Sequence, residues 1–122
     1  MRREGGCFCG DVRYEITGEV ARVVNCHCTM CRRTSGAPFV TWLIVPVSKF
    51  RYLRGQPRLL KSSERGSRYF CSSCGTPVAC TSLDHADYVD VTLGSLDDPA
   101  AFAPDSDFFE DTRLGWLDKT GG

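Results

Sequence analysis

The sequence has almost no net charge, no long apolar run and no internal repeat. Fifteen Lys and Arg residues balance fifteen Asp and Glu residues, which argues against a protein that holds nucleic acid mainly by charge. No stretch approaches the roughly 18 apolar residues that a membrane helix needs. We therefore expect neither a nucleic acid nor a membrane as a partner.

The start of the chain does not resemble a signal peptide. Its first residues, MRREGGCFCG, contain no apolar core of the kind found in a signal peptide. We therefore expect a cytoplasmic protein, whose thiols stay reduced. The length of 122 residues predicts one domain over 1–122 with a modest core, which a bound metal would help to stabilise.

Cysteine, by contrast, is abundant. The eight cysteines form three clusters and one single residue: Cys7 and Cys9; Cys26, Cys28 and Cys31; Cys71 and Cys74; and Cys80. In a reducing compartment this number points to metal or redox chemistry before disulfides. Disulfides between clusters remain geometrically possible, but a cytoplasmic setting disfavours them.

A redox role for the C-x-x-C pair has weak support. Thioredoxin-type pairs begin a helix, whose dipole lowers a thiol pKa. Here Cys71 and Cys74 are followed by Gly75 and Pro77, a pattern typical of a turn that enters a strand.

Zinc binding explains the spacing of the cysteines better than disulfides or a redox pair do. The ion prefers four tetrahedral ligands and accepts thiolates readily. The C-x-x-C-G turn would supply two of them from Cys71 and Cys74, and Cys7 and Cys9 would supply the other two. The sequence therefore predicts a closed four-cysteine zinc site that ties the start of the chain to its middle.

The three central cysteines then lack a fourth partner. Three protein ligands and one replaceable position are typical of an open, catalytic zinc site. The fourth ligand could be water, a substrate thiol or His27, although a histidine between two ligands tends to point away from their metal. We expect Cys80 to be a buried small apolar residue and His85 to be ordinary surface.

The hydrophobic pattern indicates a mainly β protein. Short alternating or β-branched segments predict strands over 11–17, 21–25, 38–45, 50–53, 58–61, 67–70 and 88–93. Only Thr29–Ser35, ending at Gly36, resembles a helix. Frequent turns between the strands favour antiparallel sheets.

These motifs together resemble the glutathione-dependent formaldehyde-activating enzyme (GFA) family, also called the CENP-V/GFA domain family. The resemblance covers nearly the whole chain. It rests on the segments GGCFCG, CHCTMCRR, GAPF, FRYLRG, FCSSCGTP and LGSLDDP in the family's order. In place of a histidine that members often carry before the apolar pair Phe108-Phe109, this chain has Asp107.

The resemblance implies an antiparallel, β-tent-like fold with two zinc ions per chain. Its closed, structural zinc would be bound by Cys7, Cys9, Cys71 and Cys74, and its active-site zinc by Cys26, Cys28 and Cys31. It also implies a carbon–sulfur lyase that condenses glutathione with formaldehyde to S-(hydroxymethyl)glutathione.

The residues after the central cluster suggest how a substrate would be held. Arg32 and Arg33 could bind the carboxylates of a thiol such as glutathione. Exposed strand edges would permit a homodimer. Two other readings stay open: a non-catalytic zinc-binding interaction module, and a labile zinc site for storage or sensing.

Overall fold

A computed structural model describes residues 2–118 of the chain. That part contains ten strands and one α-helix, with several 3-10 turns between them. The strands are β1 (Arg2–Gly6), β2 (Arg13–Thr17), β3 (Arg22–Cys26), β4 (Val40–Pro46), β5 (Phe50–Arg54), β6 (Arg58–Lys61), β7 (Gly66–Phe70), β8 (Pro77–Ser82), β9 (Tyr88–Thr92) and β10 (Ser106–Phe108). The helix α1 spans Thr29–Ser35.

The strands form two sheets. The small sheet has the order β1-β2-β5, and the large sheet has the order β10-β3-β4-β9-β8-β7-β6. Among the described strands every pairing is antiparallel except that of β10 with β3. The predicted mainly β fold with a single short helix is therefore confirmed, and one parallel edge strand is added to it.

The strands β1 and β10 were not predicted. Strand β1 precedes the first cysteine pair and consists of three charged residues and two glycines, Gly5 and Gly6, so its composition gives no strand signal. Gly5 is needed there for space, because a Cβ would lie 2.4 Å from the Tyr14 hydroxyl oxygen. Strand β10 has only three residues and depends on its pairing with β3.

Alternation along the strands gives the large sheet an inner face and an outer face. One row of opposed residues crosses five strands on the inner face and packs in the core: Val23, Leu43, Val91, Ala79 and Tyr69. From the small sheet, Tyr14 and Ile16 join this core and are fully buried. Because neighbouring side chains of a strand point to opposite sides, the adjacent row lies on the outer face.

Charged side chains hold the small sheet together from its buried middle strand. The Glu15 carboxylate accepts hydrogen bonds from Arg2 of β1 and Arg51 of β5, each at 2.6 Å. These bonds lower the pKa of Glu15. These bonds fix strand β1 to the sheet, and β1 leads directly into Cys7, the first residue of the first cysteine pair.

None of the helices between residues 2 and 118 has both the length and the apolar character that crossing a membrane requires.

Candidate functional site

Four cysteines from two distant turns meet in one cluster. The Sγ atoms of Cys7, Cys9, Cys71 and Cys74 all lie within 4.8 Å of one another. The Cys9 sulfur is 3.6 Å from that of Cys7 and 3.7 Å from that of Cys71. Four sulfurs placed tetrahedrally at about 2.3 Å from a zinc ion are about 3.8 Å apart. The cluster therefore matches the size of a four-thiolate zinc site, and we call it the four-cysteine cluster.

Two tight turns produce this arrangement. The Gly10 amide donates to the Cys7 carbonyl at 3.2 Å, and the Gly75 amide donates to the Cys71 carbonyl at 2.8 Å. Gly75 has a φ of 82°, a left-handed conformation that costs other residues energy. The predicted reversal after the second C-x-x-C cysteine is thus present.

Thr76 connects the two turns. Its hydroxyl oxygen lies 3.1 Å from the Cys74 sulfur and accepts a hydrogen bond from the Phe8 amide at 3.1 Å. Hydrogen bonds from Thr76 and from the Cys9 backbone lower the pKa of the Cys74 thiol to about 5. Since metals bind the thiolate form, these contacts favour metal binding.

The central cluster is built at the junction of β3 and α1. Cys26 ends β3, Cys28 is the N-cap of α1, and Cys31 lies in its first turn. The Cys28 sulfur accepts a hydrogen bond from the Cys31 amide at 3.2 Å. The three Sγ atoms lie within 4.8 Å of one another, and no fourth His, Cys, Asp or Glu of residues 2–118 joins them. We call this group the three-cysteine cluster.

Arg68 of β7 is bonded to this cluster. Its Nη1 and Nη2 atoms donate to the Cys31 sulfur at 3.6 and 3.5 Å, and the guanidinium is buried. A hydrogen bond from Cys26 and the charge of Arg68 lower the pKa of Cys31 to about 5, although burial acts in the opposite direction. One thiolate of the cluster is therefore stabilised by the protein itself.

A cavity of about 400 Å³ opens beside the three-cysteine cluster. The three cysteines line it together with twelve other residues: Arg22, Val24, Met30, Trp42, Ile44, Arg68, Cys80, His85, Tyr88, Asp90, Phe108 and Phe109. This volume is within the range of small-molecule sites. A ligand in the cavity would contact the cluster.

Strand register explains which side chains line this cavity. A second row of opposed residues lies on the outer face of the large sheet: Arg22, Ile44, Asp90, Cys80 and Arg68. Directly opposed residues share one face of a sheet. The residues of β3 that line the cavity likewise alternate, from Arg22 through Val24 to Cys26.

His27 points away from the metal position. It is buried, and its Nε2 atom lies 2.9 Å from the Asp107 carboxylate of β10. Its ring nitrogens are not among the clustered ligand atoms. Asp107, which precedes the apolar pair Phe108-Phe109, therefore partners the histidine inside the cysteine motif.

The two predicted substrate-binding arginines lie elsewhere on α1. Neither Arg32 nor Arg33 is among the described residues that line the cavity of the three-cysteine cluster. Arg33 lines a separate shallow depression with Lys61. Their predicted role would require a substrate that extends out of the cavity.

The sequence does not identify three residues as part of the cavity. It predicts Arg68 only as part of a strand, Cys80 as a buried apolar residue and His85 as surface, and His85 is indeed exposed. Cys80 is half-buried in the cavity wall, and His85 stands at its rim next to Asp90. Alternation within the predicted strands was the signal available, but it identifies a shared face only once the strand register is known.

The comparison with known proteins decides the family. The sequence model for the glutathione-dependent formaldehyde-activating enzymes matches residues 2–112, which is nearly the whole chain. The chain belongs to the GFA family. The GFA match includes all seven cysteines of the two clusters.

A solved structure supports the fold of this GFA member. The crystal structure of a Rhodobacter sphaeroides protein is similar with a TM-score of 0.65 and 23% sequence identity. The similarity covers 77% of this chain and 87% of the other. At that identity it supports the fold alone.

The donor sets of both clusters fit zinc. All eight cysteines are free, and seven of them supply only sulfur ligands at close range. Thiolate-rich tetrahedral sites favour zinc over the hard ions calcium and magnesium. The GFA chain thus has two clusters that could each hold a metal ion.

Proposed function

We propose that this protein is a zinc-dependent carbon–sulfur lyase that condenses a thiol, such as glutathione, with formaldehyde or a related small aldehyde. The observation that carries the proposal is that the three-cysteine cluster lines a ligand-sized cavity. Cys26, Cys28 and Cys31 would hold the active-site zinc. Cys7, Cys9, Cys71 and Cys74 would hold the structural zinc. We propose that the enzyme acts in the cytoplasm, where the thiols of both clusters would stay reduced.

The reaction needs a thiolate and an electrophilic carbonyl in contact. Zinc, when bound, lowers the pKa of a coordinated thiol and polarises a carbonyl. The protein supplies the confinement, since the walls of the cavity bring both reactants together. Arg68 adds positive charge beside Cys31, which offsets the negative charge that three thiolates collect.

The apolar side chains determine which part of a substrate fits where. Trp42, Ile44 and Phe108 line the cavity and exclude water from the bond that forms. The charged ends of glutathione would extend out of the cavity, where Arg32 and Arg33 of α1 could bind its carboxylates. The glutathione and formaldehyde assignment rests on the family's description.

One observation favours the non-catalytic alternative. Two large apolar side chains of the cavity wall are well exposed, Met30 at 42% and Phe109 at 61%. Exposed apolar residues at the edge of a groove are typical of surfaces that bind a protein segment. In that case the three-cysteine cluster would shape the groove rather than react.

Exchange spectroscopy tests the proposal. Protein loaded with zinc is mixed with glutathione and formaldehyde, and the interconversion with S-(hydroxymethyl)glutathione is measured by NMR above the spontaneous rate. We expect the wild type and the exposed control Ser72→Ala to accelerate it and Cys28→Ser to lose the acceleration. The lyase proposal is wrong if the wild type fails to accelerate the addition of formaldehyde both to glutathione and to small thiols. That result would favour the interaction module.

A further inference from the structure

We propose that Asp90, with His85 beside it, is the proton-transferring group of the cavity. This inference rests on the proposed function, because it assigns the acid and base for the same thiol–aldehyde reaction. Asp90 lies in the middle of the outer-face row, opposite Cys80 on one side and Ile44 on the other. It lines the same cavity as the three-cysteine cluster.

The Asp90 carboxyl does not serve the stability of the fold. Its Oδ1 atom is buried and has no hydrogen-bond partner among the described residues. Its Oδ2 atom has only the His85 Nε2 atom, at 3.7 Å, and that imidazole is about half exposed. Burying a carboxylate with so few partners costs free energy. Residues that break this rule are concentrated at functional sites.

The surroundings of Asp90 keep its proton affinity high. Burial raises the pKa of Asp90 to about 6, while the charges of His85 and Arg68 oppose the rise and that of Cys31 adds to it. Arg22, Tyr88 and Cys80 complete the ionisable groups that line the cavity around it: Cys26, Cys28, Cys31, Arg22, Arg68, Cys80, His85, Tyr88 and Asp90. An acid that titrates near neutral pH is well matched to general acid–base catalysis.

The proton balance of the reaction requires such a group. The thiol first gives its S–H proton to the Asp90 carboxylate and becomes the thiolate that the reaction needs. The sulfur then forms the S–C bond while the carbonyl π electrons move to oxygen. Asp90 then gives that proton to the oxygen, which yields the hydroxymethyl thioether. No oxidant or reductant is needed. Asp90 thereby ends the cycle as the carboxylate, and the partly exposed His85 beside it connects it to solvent.

The variants Asp90→Asn, Asp90→Glu and His85→Gln test this assignment, with the exposed Asp87→Asn as the matched control. The exchange rate, the zinc content and the melting temperature are measured for each. We expect Asp90→Asn to slow catalysed exchange at least about 100-fold. Its zinc content should not change, and its melting temperature should not fall, because a poorly solvated carboxylate is removed. Asp90→Glu should recover part of the rate.

The pH profile adds a readout that a structural role would not move. The carboxylate form accepts the proton, so wild-type kcat/KM should rise as pH increases through about 6. We expect Asp90→Asn to lose this rise and His85→Gln to shift it.

Three results would overturn the assignment. The first is a wild type that accelerates exchange together with an Asp90→Asn variant within threefold of it and with the same pH profile. The second is an Asp90→Asn variant that unfolds, because the carboxyl would then be structural. The third is a wild type that accelerates nothing, in which case the proposed function fails first and this inference fails with it.

Discussion

The two cysteine clusters use the same chemistry but draw on very different lengths of chain. The four-cysteine cluster joins residues 7–9 to residues 71–74, and each pair sits in its own tight turn. The three-cysteine cluster lies within residues 26–31, at one strand–helix junction. A metal in the first would close a long loop, whereas a metal in the second would constrain little that the backbone has not already fixed. From this difference we infer that the distant cluster would stabilise the fold and that the local cluster would be available for a ligand.

Replacing one cysteine ligand in each cluster should have the largest effect on stability and zinc content. We expect Cys71→Ser to unfold the protein, since binding free energies of structural zinc are about 10 kcal/mol or more. Cys28→Ser should keep the fold and lose zinc from its own cluster only. Circular dichroism melts with zinc analysis would measure both, and Cys80→Ala, outside both clusters, is the control. Two variants that unfold equally would refute the distinction between the clusters.

The second-largest effect should be a difference between the two clusters in how easily they lose zinc. In a titration with a chelator of increasing strength, we expect one zinc ion per chain to leave while the far-ultraviolet spectrum stays constant. The second ion should leave only together with the unfolding transition. Loss of both ions in a single step would mean that the clusters do not differ in accessibility.

A smaller effect concerns Arg68. We expect Arg68→Met to weaken zinc binding at the three-cysteine cluster by about 10- to 100-fold, because the Cys31 thiolate loses its two hydrogen-bond donors. Binding at the four-cysteine cluster should not change. Competition with a fluorescent zinc indicator measures both sites. Arg32→Met is the matched control, and an equal loss there would show that general positive charge, rather than the contact, matters.

The smallest effect comes from two glycines with left-handed backbones. Gly75 follows the four-cysteine cluster with φ 82°, and Gly36 ends α1 with φ 73°. Neither has another atom within 4 Å of an added Cβ, so alanine would add only backbone strain of about 1 kcal/mol at each. Chemical denaturation should show similar losses for both variants. Only Gly75→Ala should also ease the release of the tightly held ion.

Local spacing was sufficient to predict the cysteine clusters and most of the strands. The strand β6 over Arg58–Lys61 and the helix over Thr29–Ser35 have the predicted bounds, because turn residues flank both. The sequence also predicted that Cys7 and Cys9 would meet Cys71 and Cys74, as they do. That prediction needs only the number of ligands that zinc prefers and no knowledge of the sheet.

The cavity could not be predicted in the same way. Arg68, Cys80 and Asp90 share one face only through the register of β7, β8 and β9, and a slip of one residue would reverse their direction. The short strand β10, which brings Asp107 to His27, is also a product of tertiary pairing. Long-range register, which local patterns do not encode, therefore determines the surroundings of the three-cysteine cluster.

A crystal structure with anomalous data collected at the zinc edge would test the central claim most directly. We predict two zinc peaks per chain. One would be bound by Cys7, Cys9, Cys71 and Cys74, and the other by Cys26, Cys28 and Cys31 with a non-protein fourth ligand that faces the cavity. A second ion closed by a protein side chain such as His27, or a single peak, would contradict the account.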